Sequence, residues 1–357
     1  MFKLLDGSQT LGRGWTFWSC FLVVLAVALI YPVFADSYDV GNFSYFLIWI
    51  FMALGLCLMW GYGGMLSFGQ TLFFGIAGYS YGVLAINMGG GSTTIAALVL
   101  SIVVAMIAAG ILGYFMIWGG ISGIFFGIVT LSATLVLAFF LGQTAGPEWH
   151  IGPARLNGYN GMKGMDPLTI GDYYIEGSAL YYFMVALIVI VYLALRMLVN
   201  SRIGNVIVAT RENPQRAEML GYDVRKYQLL TFVIGSGLAG LSGALYTSWG
   251  QFITPSSIGL PAAAMPIVWV AFSGRSDLTA TLVGSFLLLF GFQTITVYSQ
   301  QAALVLMGGL LLATVMLAPQ GFVLGIGKLL ANRWSARRRR GAGSALADTT
   351  RLQPDEA

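Results

Sequence analysis

Asn200 to Gln228 reads NSRIGNVIVATRENPQRAEMLGYDVRKYQ, a polar island with long apolar segments on both sides. It carries Arg202, Arg211, Arg216, Arg225 and Lys226, with Glu212, Glu218 and Asp223 among them. Asn213 before Pro214 marks a helix start, because an Asn side chain caps free amides and Pro suits the first helical position. Gly221 supplies a C-terminal stop, so the signals predict a helix of about two turns over Pro214–Leu220. A short charged helix held between two membrane spans is a surface that another protein can push on. An ordinary cytosolic loop, kept basic to orient the chain, accounts for the same residues. Physics alone favours that plainer reading.

What flanks the island sets the class. The chain is 57% hydrophobic and 9% charged, against about 25% charged in soluble proteins. It therefore reads as an all-α, polytopic integral membrane protein. With roughly 20 apolar residues per span, about ten transmembrane helices are expected, some short or broken: 15–35, 43–60, 66–88, 93–118, 121–142, 179–199, 229–250, 260–273, 278–298 and 300–318. The eighth begins near Pro261 and Pro266 and reads as broken or re-entrant; the ninth and tenth meet with almost no loop.

Orientation follows from the basic residues. With the N-terminus inside, every Lys and Arg except Arg155 and Lys163 falls on the cytosolic side, so both termini are expected in the cytosol. This divides the chain into a cytosolic N-terminus (1–14), a transmembrane region (15–325) and a basic, disordered cytosolic tail (326–357). The transmembrane region contains an external loop at 143–178 and the island at 200–228. The Arg337–Arg340 run in the tail suits a membrane surface. Because the basic residues sort by membrane side, lipid is the expected partner and nucleic acid is not. Five spans on each side of the external loop would make any duplication an inverted one, although no sequence repeat is visible.

The interior is poor in charge. No Asp, Glu, Lys or Arg lies between Asp39 and Glu148, and the single histidine, His150, is in the external loop. Charged residues inside a membrane mark proton relays and ion sites, and this chain offers none for a proton-driven cycle. There is no phosphate-binding loop, no nucleophile–histidine pair inside the membrane and no metal-ligand spacing, so no catalytic or metal residue is expected. Cys20 and Cys57 both lie in apolar runs and read as small core residues. A sodium-coupled cycle could still use backbone carbonyls and hydroxyls; the simplest reading is that energy comes from elsewhere, through the island, and that the solute carries no net charge.

Polar and flexible residues concentrate in Trp60–Gly82, WGYGGMLSFGQTLFFGIAGYSYG. Gly61, Gly63 and Gly64 suit a helix break whose freed backbone groups must be buried or wetted. Ser67 and Gln70 are expected one turn apart on one helix face, placed to hydrogen-bond a polar solute. Thr130 and Ser132 are further pathway candidates, although Ser and Thr often bond their own helix backbone.

Three stretches carry a resemblance. Gly61-Tyr62-Gly63-Gly64-Met65-Leu66-Ser67-Phe68-Gly69-Gln70, Ser201–Gly204 with Ala209–Asn213 and Leu220-Gly221, and Gly237–Tyr246 occur in order. They resemble the membrane subunits of branched-chain amino acid ABC importers, the LivM type, from about Asn42 to Gly325. Where that family has a Gly-Gly-x-Gly-Thr run, this chain has Ser273-Gly274-Arg275-Ser276-Asp277. Val268–Ala271 and Asn157–Gly161 are similar to the urea and short-amide branch.

The resemblance reverses the plainer reading of the island. It implies a bacterial inner-membrane permease for branched-chain amino acids, with urea or short amides as the alternative substrates. It also implies a second, LivH-like permease subunit, two cytosolic ATP-binding subunits and an extracytoplasmic substrate-binding protein. ATP and magnesium would sit on the partner ATPases, and this chain would bind no cofactor. The ATPase-coupling residues implied are Arg202, Arg211, Glu212, Asn213, Arg216 and Gly221. A stand-alone channel for small neutral solutes is the alternative of another class.

Overall fold

The computed structural model describes residues 5–89, 91–171, 173–318 and 321–325. The tail assigned to 326–357, with Arg337–Arg340, lies outside them. In chain order the main helices are α1 (Gly14–Phe34), α2 (Ser37–Leu56), α3 (Gln70–Asn87), α4 (Thr94–Trp118), α5 (Ile124–Gly142), α6 (Gly177–Asn200), α7 (Arg202–Glu212), α8 (Pro214–Met219), α9 (Val224–Gly250), α10 (Leu260–Ser273), α11 (Leu278–Tyr298) and α12 (Gln300–Leu317). Each of the ten expected spans is a helix here. Eight are long and apolar enough to cross a membrane, and the chain is a multi-pass membrane protein. The exceptions are α3 and α12. Helix α3 tolerates Gln70, Thr71 and Ser80 because most of it is buried against other helices and does not meet lipid.

The core is a packing of α9 against α2, α3 and α4. Helix α9 runs antiparallel to α2, so that Gly235 lies against Gly55 near one end and Trp249 against Tyr45 near the other. A Cβ on Gly243 would collide with the Phe74 carbonyl, and one on Gly240 would press on Ala105 and Ala77. Small residues let these backbones approach where lipid provides no hydrophobic drive. Helix α1 has no buried residue and stands at the periphery, where Cys20 is exposed rather than in the core; Cys57 is buried as expected.

The two ends of the bundle differ. At one end the segment Leu5–Gly12, the C-terminal end of α6, the island and the turn Gly274–Asp277 come together: Arg196 bonds the carbonyls of Leu5, Leu11 and Gly12, and Asp277 accepts from the Leu11 amide. At the other end, residues 143–178 fold into short hairpins. One of their strands, Met162–Lys163, pairs with Phe252–Ile253 just after α9. Among the described residues, Arg13, Arg196, Arg275 and the basic residues of the island share one end.

Helix α10 is short: 14 residues, about 21 Å at 1.5 Å per residue. The chain leaves α9 at the hairpin end and descends through residues 251–259 without α-helix, with only a 3-10 turn at Pro255–Ser257. It reaches Ile258, whose carbonyl accepts from the Thr71 hydroxyl at 3.2 Å, and only there does α10 begin. The first half has the mirror arrangement. Helix α2 runs toward the basic end, the chain unwinds over 63–69, and α3 starts inside the bundle. Long helix, break and shorter helix thus occur in both halves with opposite direction, as an inverted duplication requires.

Candidate functional site

The first break begins where α2 widens into a π turn, Cys57–Tyr62. The Gly63 amide reaches back to the Leu58 carbonyl at 3.0 Å, and the Met65 amide to Met59 at 2.9 Å. Gly64 then takes a φ of +72°, a left-handed conformation that costs an L side chain about 1–2 kcal/mol. Gly61 lies under the Arg275 carbonyl with no room for a Cβ. Cys57 Sγ donates to that same carbonyl at 3.3 Å, and the Arg275 guanidinium lies over the Trp60 ring at 5.1 Å. The Ser273–Asp277 turn, where the sequence departs from the family pattern, is therefore closed onto the break.

The island closes on it from the other side. Ser201 caps α7 by accepting from the Gly204 amide at 3.3 Å, and Arg202 is the exposed first residue of that helix. Sequence reading did not foresee α7, since its residues look like loop. Asn213 caps α8 by accepting from the Arg216 amide at 3.0 Å, Pro214 is its first residue, and Gly221 ends the region with a φ of +87°. Those three agree with the sequence expectation. At the next helix start, Lys226 lies 3.0 Å from Asp223 and holds its carboxyl below the usual range by hydrogen bonding.

Arg211, in the last turn of α7, joins the two parts. Its guanidinium donates to the Gly61 carbonyl and pairs with Glu212. Its stem covers Gly64, where an added Cβ would come within 2.7 Å of Arg211 Cγ. A cleft of about 140 Å³ lies here, with Gly63, Gly64, Ser122, Arg211, Pro214 and Gln228 in its wall. The glycines expected along a pathway and the arginine expected to couple therefore meet at the basic end.

The remaining candidates divide. Ser67 is not one turn from Gln70 on a helix face, because α3 starts at Gln70 and the glycine-rich run keeps Ser67 in the irregular segment. Its hydroxyl accepts from the Gly69 amide at 3.1 Å. Thr130, on α5, accepts from the Phe68 amide at 3.1 Å while bonding its own helix at Phe126 and Gly127. Thr134 donates to the Phe68 carbonyl at 3.4 Å. Ser67 and Thr130 thus shape the break. Ser132 is exposed on the outer face of α5, bonded to Ile128, and is not brought to the others. Gln70 is 1% exposed; its Nε2 donates to Met59 Sδ at 2.9 Å, and its Oε1 has no partner among the described residues.

Two features were missed. Arg196, wholly buried, is sandwiched on Phe17 and Trp18 and bonds Tyr192. An arginine inside an apolar run was the available signal. Met219 and Leu220, at the tip of α8, are 87% and 75% exposed, an apolar point on a charged surface.

Residues 40–315 match the profile of a family described as branched-chain amino acid transport system, permease component. The chain belongs to that family. It is similar to the probable branched-chain amino acid transport permease protein LivM of Methanocaldococcus jannaschii, 25% identical over 264 residues, covering 67% of this chain and 76% of that protein. It also resembles the probable LivH permease protein of the same organism, 26% identical over 139 residues, or 35% of this chain and 42% of that one. No solved structure matches. Both helix breaks and the island lie within the span that this permease family defines, whereas α1 and the Leu5–Gly12 segment lie outside it.

Proposed function

We propose that this permease is the LivM-type membrane subunit of an ATP-driven importer for branched-chain amino acids, set in the cytoplasmic membrane with its basic end inside. It would pair with a second, LivH-like permease subunit. Two ATPases would bind beneath the island and hold the ATP and magnesium, and a substrate-binding protein would dock at the outer end. The observation that carries this reading is the bond from Arg211 to the Gly61 carbonyl. A force on α7 and α8 reaches the broken helix through one guanidinium, with no intervening loop to absorb it. The exposed Met219–Leu220 tip with Arg216 suits insertion into a groove on an ATPase, where apolar burial supplies grip and charge fixes orientation. Movement of the island would then change how the break closes and rock the two permease subunits past each other.

The test is uptake of radiolabelled leucine and urea into vesicles, with this chain alone and then with its second permease subunit, ATPases and binding protein. ATP-dependent leucine uptake only in the full set supports the reading. Preference for urea would move the chain to the amide branch. Equal downhill flux through the chain alone would make it a channel and the island an ordinary loop.

A further inference from the structure

We propose that the starts of α3 and α10 form a binding site for the carboxylate and ammonium groups of an amino-acid zwitterion, with Gln70 as its side-chain contact. This rests on the importer reading and specifies which residues take the solute. Helix α3 begins buried inside the bundle, whereas α10 begins with Leu260 and Pro261 exposed, leaving the Leu260 and Ala262 amides at its start; neither helix has a side-chain cap. At α3 the amides of Leu72 and Phe73 turn back to the Gly69 carbonyl, and the Gly69 amide is taken by Ser67. The amides of Gln70 and Thr71 have no acceptor among the described residues. Exposed helical amides, together with the positive end of the helix dipole, favour an anion such as a carboxylate.

The independent observation is Gln70 itself. Its Oε1 is buried, on the first residue of that helix, and unpartnered among the described residues. Helical side chains lean toward the N-terminus, which brings this acceptor beside the free amides. A buried acceptor without a donor is costly, and an ammonium group is the donor that it lacks. Ser67 and Thr130 each already accept from a backbone amide, whereas Gln70 Oε1 accepts from no donor among the described residues.

Helix α10 supplies the counterpart. Its N-terminus at Gly259 and Leu260 faces the outer end, whereas that of α3 faces the basic end, and the Thr71–Ile258 bond holds the two starts side by side. One amide-bearing helix end is thereby offered to each side of the membrane. A carboxylate passing between them keeps hydrogen-bond donors throughout, which is the requirement for moving a zwitterion through an apolar interior.

The experiment compares wild type with Gln70→Met and Gln70→Glu in vesicles carrying the full importer, using leucine, leucinamide and urea as probes. Met keeps the volume and the sulfur contact but removes the acceptor; Glu keeps an acceptor for the ammonium but sets a negative charge beside the amides that take the carboxylate. Expected are a leucine KM at least tenfold higher in Gln70→Met, loss of leucine uptake in Gln70→Glu, and weak competition by leucinamide. Wild-type leucine KM in Gln70→Met overturns the site, and that variant decides if Gln70→Glu does not reach the membrane. Uptake of urea but not leucine by the wild type also overturns the zwitterion site while leaving the importer intact. Absence of any ATP-dependent uptake by the wild type removes the importer reading itself.

Discussion

Arg211 and Arg196 show how one arginine can organise a poorly charged protein. Arg211→Leu keeps the stem over Gly64 but removes the donor to the Gly61 carbonyl. Leucine uptake by the full complex should fall at least tenfold, since island and break would no longer move together, while membrane insertion stays at wild-type level. Gly64→Ala should act on the same joint by the opposite means, forcing a methyl into the Arg211 stem at a left-handed position. Arg196→Met leaves three N-terminal carbonyls without their donor; thermal unfolding in detergent should report a loss of about 3 kcal/mol. Asp277 accepts from the Leu11 and Ala280 amides, yet burial raises its pKa above the ordinary value. A raised carboxyl favours folding at low pH, and that contribution is lost as pH rises through the raised value. The stability of wild type relative to Asp277→Asn should therefore shrink as pH rises from the ordinary carboxylate range, about 4, through the raised value. A flat difference across that range would show that Asp277 does not titrate in the folded protein.

Helix α8 has only six residues and would not persist alone, so its caps and its anchorage to α7 decide its shape. Its tip is the place to test coupling. Leu220→Asp and Arg216→Glu should each abolish uptake while leaving insertion and the bundle unchanged, because both side chains are exposed. Wild-type transport in Arg216→Glu would sink the coupling assignment. The caps of α8 were legible because Asn-Pro and a trailing Gly act locally. The start of α7 was not, since Ser201-Arg202-Ile203-Gly204 carries no apolar period long enough to separate helix from loop. The position of Ser67 was misread for a related reason: spacing of three implies a shared face only where the backbone is helical, and the π turn with Gly63, Gly64 and Gly69 ends the helix first.

At the scale of the bundle, the shared basic end predicts sidedness. A membrane-impermeant maleimide applied to right-side-out vesicles should label Tyr173→Cys, in the outer hairpins, and spare Arg202→Cys on α7. The reverse pattern would invert the molecule. The ten helices, the short α10 and the grouping of basic residues were legible in the sequence, because burial in lipid demands long apolar runs and penalises charge wherever the chain lies. Those rules act residue by residue and need no partner. The inverted pair of breaks, the hold of Arg211 on Gly61, the clasp of Leu5–Gly12 around Arg196 and the unpartnered Gln70 oxygen were decided only by the tertiary structure. Each depends on which distant backbone carbonyl or amide comes within hydrogen-bonding reach, and helix packing sets that distance.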